Sequence, residues 1–179
     1  MLGLLIVDVQ NDYFPGGKFE LYEADSALKK TRLLLDRFRK DKKPVIFVQH
    51  INDYEGAAFF EKGAAGAEIH EDIMPLPDER VVVKYQPNGF YKTGLADTLR
   101  EAGIDELVVC GMMTHMCIDT TVRAAKDEGF PVTLISDACA ARELSIKGRA
   151  VPADVVQDAF LAALDGVFAR VMTAAEYLG

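Results

Sequence analysis

Leu107-Val108-Val109-Cys110, followed at once by Gly111-Met112-Met113-Thr114-His115-Met116-Cys117-Ile118, reads as a buried strand that turns directly into a helix. The run Leu107–Cys110 is continuously apolar instead of alternating, the pattern of a strand covered on both faces. Beyond the turn, Thr114–Glu128 places Ile118, Val122 and Ala125 on one helical face and stops at Gly129, ahead of Pro131. The same alternation recurs on either side. Strand-like runs stand at Leu4–Val9, Val45–Val48, Val81–Val83, Val132–Ile135 and Val167–Val171. Helical patterns stand at Ala24–Lys40, Gly94–Ala102 and Pro152–Leu164, the last with proline near its first turn. Strands alternating with helices predict an α/β fold, a three-layer Rossmann-like arrangement with a parallel sheet and helices on both faces.

The chain has 179 residues, which suits one domain over 1–179. Lysine and arginine number 20 against 28 aspartates and glutamates, a net charge of −8. That balance argues against nucleic acid as a partner, because phosphate backbones are bound by basic patches. No apolar run approaches the roughly 20 residues that cross a bilayer, so no membrane span is expected. The apolar start Met1–Val7 lacks a basic leader and reads as a strand, not a signal peptide. Three cysteines, Cys110, Cys117 and Cys139, fit no zinc or disulfide spacing, and a reducing cytoplasm is the expected compartment.

Ligands of open parallel sheets bind outside the carboxyl ends of the strands. That rule confines the search to Asp8–Phe14, Gln49–Asp53, Lys84–Phe90, Gly111–Cys117 and Ser136–Ala140. Asp8 ends the first strand after a run of apolar residues, where an unpaired carboxylate is costly. Lys84 closes Val81-Val82-Val83 at the same end of the sheet. Cys117 falls on the first turn of a helix, where free N–H groups and the helix dipole favour thiolate. Cys110, inside a strand, reads as inert, and Cys139 reads the same way with less force. Base, cation and nucleophile from three strand ends make a division of labour suited to covalent catalysis. The stretch 51–80 has no clear periodicity and holds Phe59, Phe60, Pro75 and Pro77; a loop that long is expected to wall a pocket.

Asp8-Val9-Gln10-Asn11-Asp12-Tyr13-Phe14, then Lys84 before Tyr85, Asn88 and Phe90, then Gly111-Met112-Met113-Thr114-His115-Met116-Cys117-Ile118-Asp119-Thr120-Thr121 resemble the isochorismatase-like cysteine hydrolases along essentially the whole chain. The resemblance implies a six-stranded parallel sheet and an aspartate–lysine–cysteine triad, here Asp8, Lys84 and Cys117. It also implies a non-proline cis peptide at Met112–Met113 and an oxyanion hole formed by the backbone N–H groups of Met113 and Cys117. A homodimer or homotetramer is the assembly it suggests, with the methionine-rich turn and the helix after Ile118 as candidate contacts.

Isochorismatases proper often carry glycine in place of the cysteine, so Cys117 favours amide or other C–N hydrolysis over cleavage of a vinyl ether. Nicotinamidases carry a metal-binding Asp-x-His after the second strand and a later histidine. Gln49-His50-Ile51-Asn52-Asp53 lacks that pattern and His70 stands alone, so we expect neither metal nor cofactor, and do not expect His50, Asp53 and His70 to converge. His115, two residues before Cys117, is expected to point elsewhere, toward solvent or a subunit interface. Phe14, Phe59, Tyr85 and Phe90 are candidate apolar walls for a small substrate, and Gln10 and Asn88 candidate orienting groups. Arg142 and Arg149 are the arginines available to a substrate carboxylate. The expected activity is metal-independent hydrolysis of a small amide or ureido compound through a thioester. Vinyl-ether hydrolysis, nicotinamide hydrolysis and a catalytically silent binding role are the alternatives.

Overall fold

The structure is a computed structural model and describes residues 1–179. Its sheet has six parallel strands in the order β3-β2-β1-β4-β5-β8. These are β1 (Leu2–Val7), β2 (Val45–His50), β3 (Arg80–Lys84), β4 (Glu106–Met112), β5 (Val132–Ala140) and β8 (Arg170–Met172). Helices α1 (Ala24–Lys40) and α5 (Ala174–Leu178) lie on one face, and α2 (Leu95–Glu101), α3 (Asp119–Asp127) and α4 (Ala153–Leu164) on the other. Leu4, Ile6, Phe47 and Val108 point into the first layer with Leu34, Leu35 and Phe38 of α1. Their strand neighbours Leu5, Val7, Val48 and Val109 point into the second with Leu99, Val122 and Leu164. Each central strand is thus apolar on both sides, which is why the sequence shows unbroken runs.

The order reverses beside β1, where β1 is flanked by β2 on one side and β4 on the other. The crevice at such a reversal opens at the carboxyl ends, where Asp8, His50, Lys84 and Cys117 are placed. Gly111 lets β1 and β4 close up there. A Cβ on Gly111 would collide with the Val7 backbone carbonyl, and its φ of +130° is glycine territory.

Several elements differ from the sequence reading. The first strand ends at Val7 instead of Val9, because Asp8 takes a left-handed φ of +51°. The helix read from Thr114 starts as a π turn over Thr114–Ile118 and becomes α only from Asp119. The last strand is Arg170–Met172, in register with Thr133–Ile135 of β5. Val167 and Phe168, read as part of it, lie in the preceding turn, where the Phe168 ring receives the Arg123 guanidinium at 4.3 Å. A small hairpin, β6 (Leu144–Ile146) and β7 (Arg149–Val151), was not foreseen. It turns on Lys147 and Gly148, both at positive φ as a tight hairpin demands. The stretch before β3 carries two short 3₁₀ turns, Ala65–Ala67 and Glu71–Ile73, and isolated bridges that join Asn52 to Glu61 and Ile69 to Gln10. The Met112–Met113 peptide is cis. No helix is long and apolar enough to cross a membrane.

Gly111→Ala tests the close approach of β1 and β4. It is expected to destabilise the fold by more than about 2 kcal/mol, through both the collision and the backbone conformation. Urea unfolding checks it, and a midpoint equal to wild type contradicts the packing described.

Candidate active site

Lys84 ends β3 and is fully buried, as is Asp8. Its Nζ lies 2.7 Å from Asp8 Oδ2, 2.8 Å from His50 Nδ1 and 3.2 Å from Cys117 Sγ. Three side chains, from Asp8 just past β1, His50 at the end of β2 and Cys117 in the π turn, therefore meet around the ammonium that ends β3. Apart from the ion pair with Lys84, the Asp8 carboxylate has no hydrogen-bond partner. The left-handed turn at Asp8, an uncommon conformation for a residue with a Cβ, directs its side chain toward Lys84.

The electrostatics follow from burial. Loss of water and the adjacent Asp8 carboxylate push the Cys117 thiol up, while Lys84 opposes them. In this arrangement the sulfur carries its proton and Asp8 is the partner of the cation. Burial alone would depress Lys84, but Asp8 and Cys117 overcome it and its pKa is raised. His50 is lowered by burial and by the Lys84 cation, so its imidazole is neutral near pH 7. Burial also raises Cys110, to about 12, which fits an inert strand cysteine beside Thr31. Cys139 is raised likewise by burial.

Asp8, His50 and Cys117 each offer a donor atom, all within 4.8 Å of one another, a spacing that fits a metal ion. The Lys84 ammonium already contacts all three donor atoms, so a metal ion held by them would compete with it. Asp53 and His70 do not join His50. Asp53 pairs with Lys62 at 2.8 Å, and His70 packs at a tilt against Phe14 and accepts from the Asp72 N–H.

A lid covers this group. Gln10 clamps β2 by accepting from the His50 N–H and donating to the His50 carbonyl, both at 2.8 Å, and donates also to Ala67 O. The Asp12 carboxylate accepts from the N–H groups of Phe60 and Lys18. A Cβ on Gly66 would collide with that carboxylate, so the chain crosses it as glycine. Tyr13, Phe19, Phe59 and Phe60 form an aromatic cluster with neighbouring centroids 4.4–6.4 Å apart, and Phe60 reaches the His50 ring at 6.1 Å. Burial, then Cys117 and Asp8, push the Tyr13 phenol well up, so it is a neutral hydroxyl beside the group.

Of the predicted substrate contacts, only Phe59 sits in this cluster. Gln10 is buried, and its polar atoms are engaged by the backbone of His50 and Ala67. Phe14 packs beside His70. Tyr85 is exposed, and Asn88 accepts from the Phe90 N–H within its own loop. Phe90 stacks on Phe130, at the amino end of β5, away from the carboxyl ends where Asp8, Lys84 and Cys117 meet. His115 is buried in its own chain, with its ring edge on Phe160 at 6.0 Å, instead of facing solvent. Arg142 lies over the Phe19 ring at 4.6 Å, and Arg149 is in the hairpin. A cleft of about 590 Å³ beside Met1, Lys43, Pro44 and Arg80 opens at the opposite end of the sheet and touches none of these groups.

Residues 3–176 match the family model for the isochorismatase domain. The chain belongs to the isochorismatase family of hydrolases. It is 48% identical over 175 residues to the uncharacterized isochorismatase family protein YddQ of Bacillus subtilis (strain 168), covering 98% of this chain and 97% of that one. A crystal structure from Oleispira antarctica superposes with a TM-score of 0.96 at 40% identity, covering 99% of this chain and 95% of the other. A streptothricin hydrolase of Streptomyces noursei is 40% identical over 141 residues, 79% of this chain but only 55% of that protein.

His50 and Tyr13 escaped the sequence reading as site residues. His50 obeys the same signal as Lys84, a polar residue closing an apolar strand, and was weighed only as a metal ligand. Two outcomes test the site. Lys84→Met strips the only counter-ion from a buried carboxylate and is expected to cost about 3–5 kcal/mol, with Asp8→Asn/Lys84→Met recovering much of it; a double variant no more stable than Lys84→Met contradicts the pairing. Separately, His50 and His115 are both lowered by burial, so the unfolded chain takes up protons first as pH falls. Their contribution is complete above pH 6.5 and is lost on acidification toward their depressed values. Melting temperature is expected to fall from pH 7 to pH 5, and less in His50→Asn; equal slopes contradict it.

Proposed function

We propose that this protein is a cysteine hydrolase that cleaves a C–N bond of a small amide or ureido compound through a thioester, with no metal in the reaction. The observation that carries this is the single ammonium, Lys84, in contact with both Asp8 Oδ2 and Cys117 Sγ. With Lys84 positive, the buried group is neutral overall whether the negative charge rests on Asp8 or on Cys117. Moving the thiol proton to Asp8 therefore creates no unpaired buried charge. The sulfur becomes thiolate as it attacks.

In the sequence we assign, Asp8 takes the Cys117 proton as Sγ bonds to the carbonyl carbon. The resulting oxyanion is received by the backbone N–H groups of Met113 and Cys117, a contact whose loss typically costs on the order of 10²–10³ in rate. The C–N bond breaks, and the leaving nitrogen takes the proton from Asp8. Asp8, again a carboxylate, draws a proton from water, whose oxygen attacks the thioester. The C–S bond breaks and Cys117 recovers its proton. Proton transfer of this kind contributes about 10²–10⁴ in rate.

The aromatic cluster of Tyr13, Phe19, Phe59 and Phe60 supports a compact, largely apolar substrate. A relative named for hydrolysis of streptothricin supports hydrolysis as the reaction class. We propose a homodimer or homotetramer, supported by Met116, Val155 and Val167, which expose apolar side chains on the α4 side. Three unpaired cysteines support a reducing, cytoplasmic setting.

A panel of small amides and ureides, followed by ammonia release with and without chelator, tests the reading. Cys117→Ala is expected to lose at least 10³-fold in turnover while its melting curve stays cooperative, and chelator to leave the rate unchanged. Turnover surviving in Cys117→Ala, or an isochorismate-type vinyl ether as the sole substrate, overturns it.

A further inference from the structure

We infer that His50 is a positioning residue: a neutral imidazole whose Nδ1 lone pair holds one proton of the Lys84 ammonium and so aims the other two at Asp8 and Cys117. This rests on the cysteine-hydrolase reading above.

A lysine ammonium has three N–H donors and no acceptor. The three atoms in contact with Lys84 Nζ are Asp8 Oδ2, His50 Nδ1 and Cys117 Sγ, at 2.7, 2.8 and 3.2 Å. One donor is therefore available for each. The assignment requires a bare Nδ1, and the neighbouring loop fixes that tautomer. Asn52 Nδ2 donates to the Phe59 carbonyl at 2.8 Å, which leaves Asn52 Oδ1 facing His50 Nε2 at 3.2 Å. An amide oxygen only accepts, so Nε2 carries the hydrogen and Nδ1 does not. Gln10 holds both backbone groups of His50, which keeps the ring in place.

The titratable groups facing the imidazole are Lys84 from β3, Asp8 from the end of β1 and Cys117 from the π turn. Asn52 and Phe60 from the loop carry no charge. Protonation at Nδ1 would set a second cation against the ammonium and remove its acceptor. Loss of the acceptor leaves a buried charged N–H unsatisfied and free to turn from the sulfur. The loop 51–62 is thereby tied to the reacting sulfur through Asn52, His50 and Lys84.

The test is the rate of Cys117 alkylation by iodoacetamide between pH 5 and 9, read by mass spectrometry of its peptide. Sulfur displaces iodide and the thiol proton passes to Asp8. Wild type is expected to show a plateau and an acid limb below pH 6.5. His50→Asn keeps an acceptor oxygen at the Nδ1 position, so its plateau is expected within about threefold of wild type and its limb at lower pH. His50→Leu is expected to lose at least tenfold on the plateau. Asn52→Ala, which attacks the same contact from the loop, is expected to lose about two- to fivefold and covers the case of a His50→Leu that does not fold. A wild-type plateau in His50→Leu or Asn52→Ala, an unmoved limb in His50→Asn, or a His50→Asn plateau as low as that of His50→Leu overturns the inference. Should wild-type Cys117 react no faster than Cys110, or Cys117→Ala retain turnover, the cysteine-hydrolase reading itself fails, and that result is distinct from the His50 outcomes.

Discussion

A lysine ammonium buried at the meeting point of three strands and a helical turn is the constraint around which this protein is organised. An isolated charge at such depth is prohibitively costly, and its presence dictates its surroundings. One full negative charge must lie beside it, and each remaining proton needs an acceptor. Asp8, His50 and Cys117 meet those demands from three other chain segments. The parallel sheet makes the meeting possible, since only its carboxyl edge brings the ends of β1, β2 and β3 and the turn after β4 into one crevice.

The neighbouring backbone departs from regular geometry where this cluster requires it. Asp8 leaves the strand in a left-handed conformation, and Gly111 permits a contact no side chain would tolerate. The helix after β4 opens as a π turn, which carries Cys117 to the sheet edge before the α-helix begins. The loops are held by buried polar side chains. Gln10 and Asp12, two polar residues with almost no exposure, fasten β2, Phe60 and the Ala67 segment over the crevice. Their amide and carboxylate atoms are satisfied by backbone, which is what makes them tolerable inside.

The same ion pair shapes the chemistry. A buried thiol next to a carboxylate resists ionisation on its own, yet a cation shared between them makes the transfer of one proton nearly neutral in charge. In the proposed reaction, the direction of the lysine N–H groups bears on the sulfur, and so do the groups that hold the lysine. Asn52, His50 and Lys84 link a surface loop to the Cys117 sulfur through a short chain of hydrogen bonds.

How much of this was legible beforehand differs by residue. Asp8 and Lys84 announced themselves because a charge that closes an apolar strand has few reasons to be there. Cys117 stood out from Cys110 and Cys139 by its place at a strand-to-helix turn. For Gln10 and Phe90 the sequence says nothing about the backbone groups and the distant ring that the structure places against them. The hairpin at Lys147–Gly148 and the ending of the first strand at Val7 depended on positive φ angles at residues other than glycine, which leave no mark in composition. The alternation of the main strands and helices, the two-sided core and the placing of Asp8, Lys84 and Cys117 at the carboxyl edge were thus legible in the sequence alone, through apolar periodicity and the cost of placing charge in it. The tertiary structure alone decided which atoms touch, that a histidine joins them, and that burial and Asp8 push the thiol up, because distances and desolvation arise only when segments far apart in the chain are brought together.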